Sequence, residues 1–343
     1  MPKSFVGADL AFRARYPALR YSLIRPPRTC LADILGYAAL ADQLGLDVFA
    51  VGEHHSAEFF TSSPAVVLAA AAARTTAIRL ASATTLLGIA DPVRVYEDFA
   101  TVDLVSRGRA EIIAGRSAFA EPFKLFGYDT ADYDELFAEK LRLLLEVRAS
   151  EKVTWHGRFR PALDGAFVTP RAVQEPLPVW VGVGGSPDSA ERAGRLGLPM
   201  ILGYIGGTLA HIKPLADTYR AAGERADHAD SLKLALSTHF HAGADPAAAR
   251  ATYPYYHEYL RPKTPGGRGF TVSRAAFEAG TGPDGAIMIG SAAEVTGKLL
   301  AAKETLGLDR VFAQVDWGGL PSAMVEDSIG RYATEIAPEL RSA

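Results

Sequence analysis

An acid and two histidines, Glu53, His54 and His55, directly follow the short apolar run Val48–Val51. A buried strand has no use for such side chains at its end unless that end faces water or a ligand. An imidazole there can accept or donate a proton near neutral pH. Because neighbouring side chains on a strand point to opposite faces, we expect one histidine to face a binding site and the other to anchor the loop. The alternative is that both belong to an ordinary surface loop.

A basic side chain at another strand end suits an anion. Arg116 follows the apolar run Ala110–Ala114, and its guanidinium fork matches the oxygens of a phosphate. The alternative is a salt bridge to a nearby carboxylate such as Glu97.

The turn Gly184-Gly185-Ser186-Pro187 also indicates an anion site. Two glycines let the backbone approach a ligand closely, Ser186 can cap the helix that follows, and Pro187 can occupy its first position. The start of that helix then offers free N–H groups and the positive end of its dipole. The turn is not the dinucleotide fingerprint GxGxxG, because proline stands where the third glycine is needed. The alternative is a tight turn without a ligand.

Two more histidines, His239 and His241, are spaced so that both side chains share one face of a strand. Such a pair can bind a metal and favours a different class, a metal-dependent hydrolase on a barrel. No carboxylate or lysine at the other strand ends completes the ligand set, so we predict no metal.

Two further segments are weaker indicators by themselves. Thr84 and Thr85 end a strand whose backbone could lie against a flat aromatic ring, but strand-end threonines are common. The aromatic loop Phe119–Tyr133 is either the apolar wall of a pocket or an anchor for the loop.

The elements that must position these residues alternate between strand and helix along the chain. The pattern predicts eight strands: Phe5–Phe12, Val48–Gly52, Arg79–Thr84, Ala110–Ala114, Val179–Val183, Met200–Tyr204, Leu232–His241 and Val311–Val315. Right-handed crossovers between parallel strands favour an α/β fold, a (β/α)8 TIM barrel whose chemistry lies at the carboxyl ends of the strands. An open doubly wound sheet is the rival. Glycines and prolines predict insertions at about 152–178 and 261–285, the second of them mobile.

Composition limits the class of protein further. The net charge of −3 is too near neutral for a nucleic-acid surface. The longest apolar run, Ala65–Ala73, is too short to cross a bilayer, and Cys30 has no second cysteine to pair with. The amino terminus lacks a signal-peptide core. We therefore expect a single domain over residues 1–343, located in the cytoplasm.

Several of these motifs together resemble the bacterial luciferase-like family of flavin-dependent monooxygenases. The resemblance is carried by VGEHH at Val51–His55, by the block Arg79–Ser117, by LFGYD at Leu125–Asp129, and by Pro176–Leu202. It extends from near the amino terminus to the final helix.

The resemblance implies a (β/α)8 barrel that binds reduced FMN at the carboxyl ends of its strands. It implies that His54 is the catalytic base and that the Ala83–Thr84 peptide is cis and lies under the flavin ring. The residues expected at the cofactor are Glu53, Ala83, Thr84, Arg116, Tyr133, Gly184, Gly185, Ser186 and Ser189. Phe119 and His239 are expected at the substrate pocket.

Two departures from the family are visible. Gly115 stands where luciferase has a reactive cysteine, and a second phosphate-binding arginine of luciferase falls near Asp134. Tyr133 is the residue that could take over that second role.

The leading hypothesis is a two-component monooxygenase. It acts on a small organic substrate with O2, takes reduced FMN from a separate flavin reductase, and forms a homodimer. The alternatives are hydride transfer with the deazaflavin F420 and a non-catalytic flavin-binding barrel.

Overall fold

The computed structural model describes residues 27–56, 59–117, 119–262, 269–317 and 319–343. The predicted first strand, Phe5–Phe12, lies outside the described residues. No helix among the described residues is long and apolar enough to cross a membrane.

Nine parallel strands form the main sheet of the described chain. They are β1 (Val48–Val51), β2 (Arg79–Ser82), β3 (Thr85–Leu86), β4 (Ala110–Gly115), β7 (Val179–Val183), β8 (Met200–Gly203), β9 (Leu234–Gly243), β10 (Met288–Ser291) and β11 (Arg310–Gln314). The order across the sheet, β1-β2-β4-β7-β8-β9, follows the order along the chain. A doubly wound sheet would reverse direction at its centre. The monotonic order is that of a barrel wall, although no pairing closes it within the described residues.

The helices cover the outside of this wall. They are α1 (Pro27–Gln43), α2 (Pro64–Ala72), α3 (Pro92–Ser106), α4 (Glu121–Phe126), α5 (Tyr133–Ala149), α6 (Pro187–Arg195), α7 (Leu209–Glu224), α8 (Pro246–Arg250), α9 (Tyr253–Leu260), α10 (Arg274–Thr281), α11 (Ala292–Leu306), α12 (Ser322–Arg331) and α13 (Ala337–Ser342). Asp91 caps α3 through its carboxylate, as the Asp-Pro pattern indicates. Ser63 precedes Pro64 but makes no side-chain cap bond.

Alternate strand residues pack on two different faces. On one face, Leu80, Ile112 and Val181 join a core with the helices. On the other face the packed residues come from strands or directly adjoin them: Val48, Ala50, Ala81, Ala83, Ile113, Trp180, Ile201, Ala235 and Phe312. Strand residues that touch one another without an intervening helix define the interior of a barrel.

An ion-pair cluster fills the amino-terminal end of this interior. The buried Glu111 carboxylate accepts hydrogen bonds from Arg310 at 2.7 Å and from Arg79. Arg79 also donates to Gln174 at 2.8 Å, and the Arg310 guanidinium lies 4.8 Å from the centroid of the Trp180 ring. This end of the barrel is therefore filled and internally paired.

The two predicted insertions differ in structure. The first contains an antiparallel hairpin of β5 (Lys152–Trp155) and β6 (Leu163–Phe167), one of the two predicted forms. The second contains α10 and leads into β10, a strand that the sequence analysis did not predict. β10 pairs with the second half of the long strand β9. Its short apolar run is flanked by Gly285 and Gly290, and these glycines favoured a loop over a strand.

Candidate active site

Four strand ends meet at one rim because the strands that carry them are parallel. β1, β2, β4 and β7 are consecutive in the sheet, so their carboxyl ends lie at the same edge. His54 follows β1, Thr84 follows β2, Arg116 follows β4 and Ser186 follows β7. This is the end at which parallel barrels carry their active sites.

The two adjacent histidines at the rim have different surroundings. His55 Nε2 lies 2.8 Å from Glu53 Oε1, and the other Glu53 oxygen accepts a hydrogen bond from the Leu86 N–H. The His54 ring instead stacks on Phe59, with centroids 4.0 Å apart. Burial and the neighbouring His55 lower the pKa of His54 to about 4, so this imidazole is neutral at pH 7. His55 thus anchors the loop, whereas the His54 ring makes no hydrogen bond with another side chain among the described residues.

The Ala83–Thr84 peptide bond at the end of β2 is cis, as the resemblance implies. It lies beside His54: a Cβ built on Gly52 would be 3.2 Å from both the Ala83 carbonyl oxygen and His54 Nε2. The predicted base and the predicted cofactor-facing peptide therefore both border the same small space beside Gly52.

The Thr84 side chain fits between two glycines of the adjoining strands. A Cβ on Gly115 would overlap the Thr84 hydroxyl and lie 2.6 Å from the Thr84 Cβ, and a Cβ on Gly182 would lie 2.9 Å from its Cγ2. Contacts this short do not occur between real side chains. The absence of the luciferase cysteine at position 115 therefore has a steric reason in this chain.

Arg116 extends from β4 towards the start of α5. Its guanidinium forms an ion pair with Asp134 and lies 4.9 Å from the centroid of the Tyr133 ring. The alternative interpretation of Arg116, a salt bridge to a nearby carboxylate, thus agrees with the structure, but the carboxylate is Asp134 at the start of α5 and not Glu97 on α3. The Tyr133 hydroxyl donates to the Ser117 carbonyl at 2.7 Å, so it fixes the loop after β4.

The turn after β7 has the form that its sequence predicts. Ser186 caps α6 by accepting a hydrogen bond from the Ser189 N–H at 3.4 Å, and Pro187 occupies the first turn. A Cβ on Gly184 or Gly185 would meet no atom within 4 Å, so the backbone borders open space. Ser189 is 2% exposed, and its hydroxyl has no hydrogen-bond partner among the described residues. A buried hydroxyl without a partner is costly, so this hydroxyl is available to bond a ligand at the turn.

Arg192 is a residue of this region that the sequence analysis did not single out. It follows Ser189 by three positions on α6, so the two side chains lie on the same helix face. Its Nη1 is buried without a hydrogen-bond partner in the described chain, and its guanidinium lies 5.8 Å from the centroid of the Phe137 ring. Burial and then the charge of Arg116 lower the pKa of Arg192. The i, i+3 spacing from Ser189 was the signal available in the sequence.

The two predicted pocket residues lie in different places. Phe119 lies at the rim, edge-on to the His54 ring, with ring centroids 6.4 Å apart. His239 is buried against α9, where its Nδ1 lies 2.9 Å from the Tyr256 hydroxyl and its ring meets Tyr259 edge-on. Burial lowers the pKa of His239 to about 4. His239 therefore lies among the aromatic residues Tyr256 and Tyr259, and its place at a substrate pocket stays a prediction.

The described residues contain no group of three or more histidine, cysteine or acidic side chains placed to hold a metal. His241 is buried, its Nδ1 has no hydrogen-bond partner among the described residues, and burial lowers its pKa to about 4. The spacing that suggested a metal pair thus belongs to two buried imidazoles, one beside the Tyr256 hydroxyl and the other near Asp327 and Arg331.

The turn that begins α6 fits an anion. Gly184 and Gly185 border open space there, whereas Gly115 and Gly182 are covered by the Thr84 side chain. At the same turn, the unpartnered Ser189 hydroxyl, the unpartnered Arg192 nitrogen and the start of α6 offer donors to an anion. The donor set contains hydroxyl, guanidinium and backbone N–H groups, which is the chemistry that phosphate requires.

Solved structures share the fold of this chain. The chain is similar to the crystal structure of monooxygenase RslO1 from Streptomyces bottropensis, with a TM-score of 0.81, 23% identity, and coverage of 92% of this chain and 95% of the other. It is also similar to the FMN complex of the oxygenating constituent of 3,6-diketocamphane monooxygenase from Pseudomonas putida. That TM-score is 0.71 at 20% identity, covering 92% of this chain and 94% of the other. At these identities the likeness concerns the fold.

A sequence relative uses a different cofactor. The F420-dependent glucose-6-phosphate dehydrogenase of Amycolatopsis mediterranei is 29% identical over 178 residues, which are 48% of this chain and 51% of the relative. The chain therefore matches about half the length of that protein. The sequence profile described as luciferase-like monooxygenase matches residues 22–310. Because that match spans most of the chain, the protein belongs to the luciferase-like monooxygenase family.

Proposed function

We propose that this protein is a flavin-dependent monooxygenase of the two-component kind. It binds reduced FMN delivered by a separate flavin reductase, and it uses O2 to oxygenate a small organic substrate. The observation that carries the proposal is the placement of a neutral His54 beside the Ala83–Thr84 peptide, at the same rim as the unpartnered Ser189 hydroxyl.

The cofactor would lie with its ring over the Ala83–Thr84 peptide and its phosphate at the turn that begins α6. Ser186 and Ser189 would contact the phosphate, and Arg116 would approach it from β4. When bound, reduced FMN supplies the electrons for O2 activation, and the protein supplies position and a dry site.

His54 would handle the proton at this site. Its imidazole is neutral because it is buried against Phe59, and a neutral imidazole can accept a proton from a reacting group. Phe119 borders the same ring and would form part of the apolar wall that keeps water out. The neutral state therefore follows from the aromatic surroundings that also exclude solvent.

The second candidate function is hydride transfer with F420, which the similarity to an F420-dependent dehydrogenase favours. Anaerobic titration separates the two: we expect reduced FMN to bind more tightly than reduced F420. Tight binding of F420 together with weak binding of FMN would reverse the assignment.

The third candidate, a flavin-binding barrel without catalysis, can be distinguished from a monooxygenase by the kinetics of its reaction with oxygen. The anaerobic complex with reduced FMN is mixed with O2, and flavin oxidation is followed by absorbance. A monooxygenase should change the oxidation rate from that of free reduced FMN, and His54→Gln should change it again while FMN still binds. Oxidation at the free rate in both proteins would contradict a monooxygenase.

We also propose that the protein is a homodimer. Exposed apolar side chains on two helices that pack together, Val66 on α2 and Leu104 and Val105 on α3, offer a surface for a second copy. Sedimentation velocity would test this directly, since a single species of monomer mass at micromolar concentration would contradict it.

A further inference from the structure

The anion site beside α6 contains one arginine whose charge is already matched. The Arg116 guanidinium is paired with the Asp134 carboxylate, and together they contribute little net charge. A phosphate monoester carries between one and two negative charges at neutral pH. If Arg116 were the only cation nearby, the helix dipole and neutral donors would have to hold those charges.

Arg192 is a nearby arginine that forms no ion pair with a carboxylate among the described residues. Its Nη1 is buried and makes no hydrogen bond within the described chain. Its side chain has the Phe137 ring at 5.8 Å and no salt bridge within 4 Å among the described residues. Burial lowers the pKa of Arg192, the charge of Arg116 lowers it further, and the charges of Asp134 and Asp188 raise it, so Arg192 lies in the same region as the Arg116–Asp134 pair.

The orientation of the Arg192 side chain also supports a role at this site. Side chains on a helix lean towards its amino terminus, so Arg192 leans over the turn that carries Ser189. Ser189 has the unpartnered buried hydroxyl, and Ser186 caps the same helix end. Three potential donors, the Ser189 hydroxyl, the Arg192 guanidinium and the first N–H groups of α6, thus belong to one helix end.

We propose that Arg192 is a binding residue for the phosphate tail of the cofactor and supplies the positive charge that Asp134 removes from Arg116. This inference rests on the proposed function, because it assumes a flavin with a phosphate. It goes beyond the family resemblance, which assigned phosphate binding to Arg116, the turn and Ser189 and found Asp134 where a second arginine was expected. In this proposal the second positive charge lies in the middle of α6 and not at the start of α5.

The test compares FMN with riboflavin, which has the same ring but no phosphate. Anaerobic calorimetry measures the Kd of reduced FMN and of reduced riboflavin for the wild type, R192M, R192K and R195M. Arg195 is an exposed arginine one turn further along α6 and serves as the matched control. R192M should weaken FMN binding by roughly 10- to 100-fold, the effect of losing a charge-assisted contact. It should leave riboflavin binding unchanged.

The remaining variants sharpen the result. R192K should retain most of the FMN affinity, because lysine keeps the charge but loses the planar fork, and R195M should match the wild type. If R192M does not fold, R192Q carries the same comparison. If the wild type binds FMN more tightly than riboflavin and R192M keeps this preference, the inference about Arg192 is wrong and the proposed function still stands. A wild type that binds FMN no better than riboflavin would overturn the phosphate site itself, and the proposed function with it.

Discussion

The two ends of the parallel strands bury polar side chains in opposite ways. At the amino end, the Glu111 carboxylate is 3% exposed and is satisfied by Arg79 and Arg310. At the carboxyl end, the Ser189 hydroxyl is buried to a similar degree and has no partner in the described chain. The Glu111 carboxylate is thus satisfied by side chains of the protein, and the Ser189 hydroxyl is not.

The difference separates stability from function within one barrel. A buried polar group without a partner costs about 1–3 kcal/mol, so it persists where a bound molecule compensates for it. The interior side chains show the same contrast: Trp180 and Phe312 fill the middle, whereas Gly115 and Gly182 leave room only for Thr84 near the rim. Changes at the amino end should therefore affect unfolding, and changes at the rim should affect cofactor and rate.

The largest expected effect is at His54. His54→Gln should lower kcat by roughly 10²- to 10⁴-fold, the usual contribution of a positioned acid or base. The free energy of unfolding and the Kd for reduced FMN should change little, because glutamine is accommodated at a site that opens to the rim. Steady-state kinetics with a reductase and a turned-over substrate measure the effect, with His211→Gln on the exposed face of α7 as control.

The pH dependence of kcat/KM gives a second test of His54. Burial lowers the pKa of His54 to about 4, so the imidazole stays neutral from pH 8 down to pH 5. Titration of His54 should therefore cause no change in kcat/KM between pH 5 and pH 8. An inflection near pH 6.5 that disappears in His54→Gln would contradict the buried neutral state.

The next effect is at the opposite end of the barrel. Glu111→Ala leaves the Arg79 and Arg310 guanidinium groups without their shared carboxylate. Breaking a buried pair in this way costs about 3–5 kcal/mol, and the partial exposure of both arginines places the expected loss near the lower limit. Urea unfolding measures it.

A matched surface substitution gives the reference for this loss. Glu191→Ala breaks an exposed ion pair with Arg225, separated by 3.7 Å, and should change the free energy of unfolding by less than about 1 kcal/mol. In Glu111→Ala the ratio of FMN to riboflavin affinity should stay at its wild-type value. A change in that ratio would show that the two ends are not independent.

A smaller effect is expected at the rim glycine. Gly115→Ala places a Cβ against Thr84, and such overpacking typically costs about 1–3 kcal/mol. Displacement of Thr84 should also weaken binding of both FMN and riboflavin, because the ring and not the phosphate is affected. Gly330→Ala, at a helical position with no atom within 4 Å, is the control and should be neutral or slightly stabilising.

Much of this arrangement follows from local sequence. Strand ends at His54, Thr84, Arg116 and Ser186 are visible from apolar runs and cap residues, and parallel pairing then places them together without further information. The seven predicted strands that lie within the described residues agree with the structure to within two residues at each end. β10 was missed because flanking glycines resemble loop residues when pairing with β9 is unknown.

The side-chain partners could not be predicted in the same way. Arg116 pairs with Asp134 across 18 positions, and the packing of α5 against β4 decides that pairing. The lack of a partner at Ser189 and Arg192 is a three-dimensional fact with no local signature. The steric need for Gly115 likewise depends on how Thr84 is oriented.

The smallest effect tests whether the carboxylate at Asp134 acts on the anion site. Asp134 is 72% exposed, so solvent and salt screen its charge, and its influence should be modest. Asp134→Asn frees the Arg116 guanidinium and removes a negative charge near the phosphate. We expect reduced FMN to bind several-fold more tightly, with riboflavin unchanged and with the gain decreasing as ionic strength rises. Calorimetry at two salt concentrations measures this.

The double variant R192M with Asp134→Asn tests how Arg116 and Arg192 each contribute to phosphate binding. If Arg192 replaces the charge that Asp134 neutralises, Asp134→Asn should raise the FMN affinity by a larger factor in R192M than in the wild type, because Arg116 then becomes the main cation at the phosphate. Independent contributions would instead give additive changes, as expected for sites that share no ligand. Additivity would mean that Arg116 remains fixed to its surroundings through Tyr133, and that the rim binds phosphate chiefly through α6.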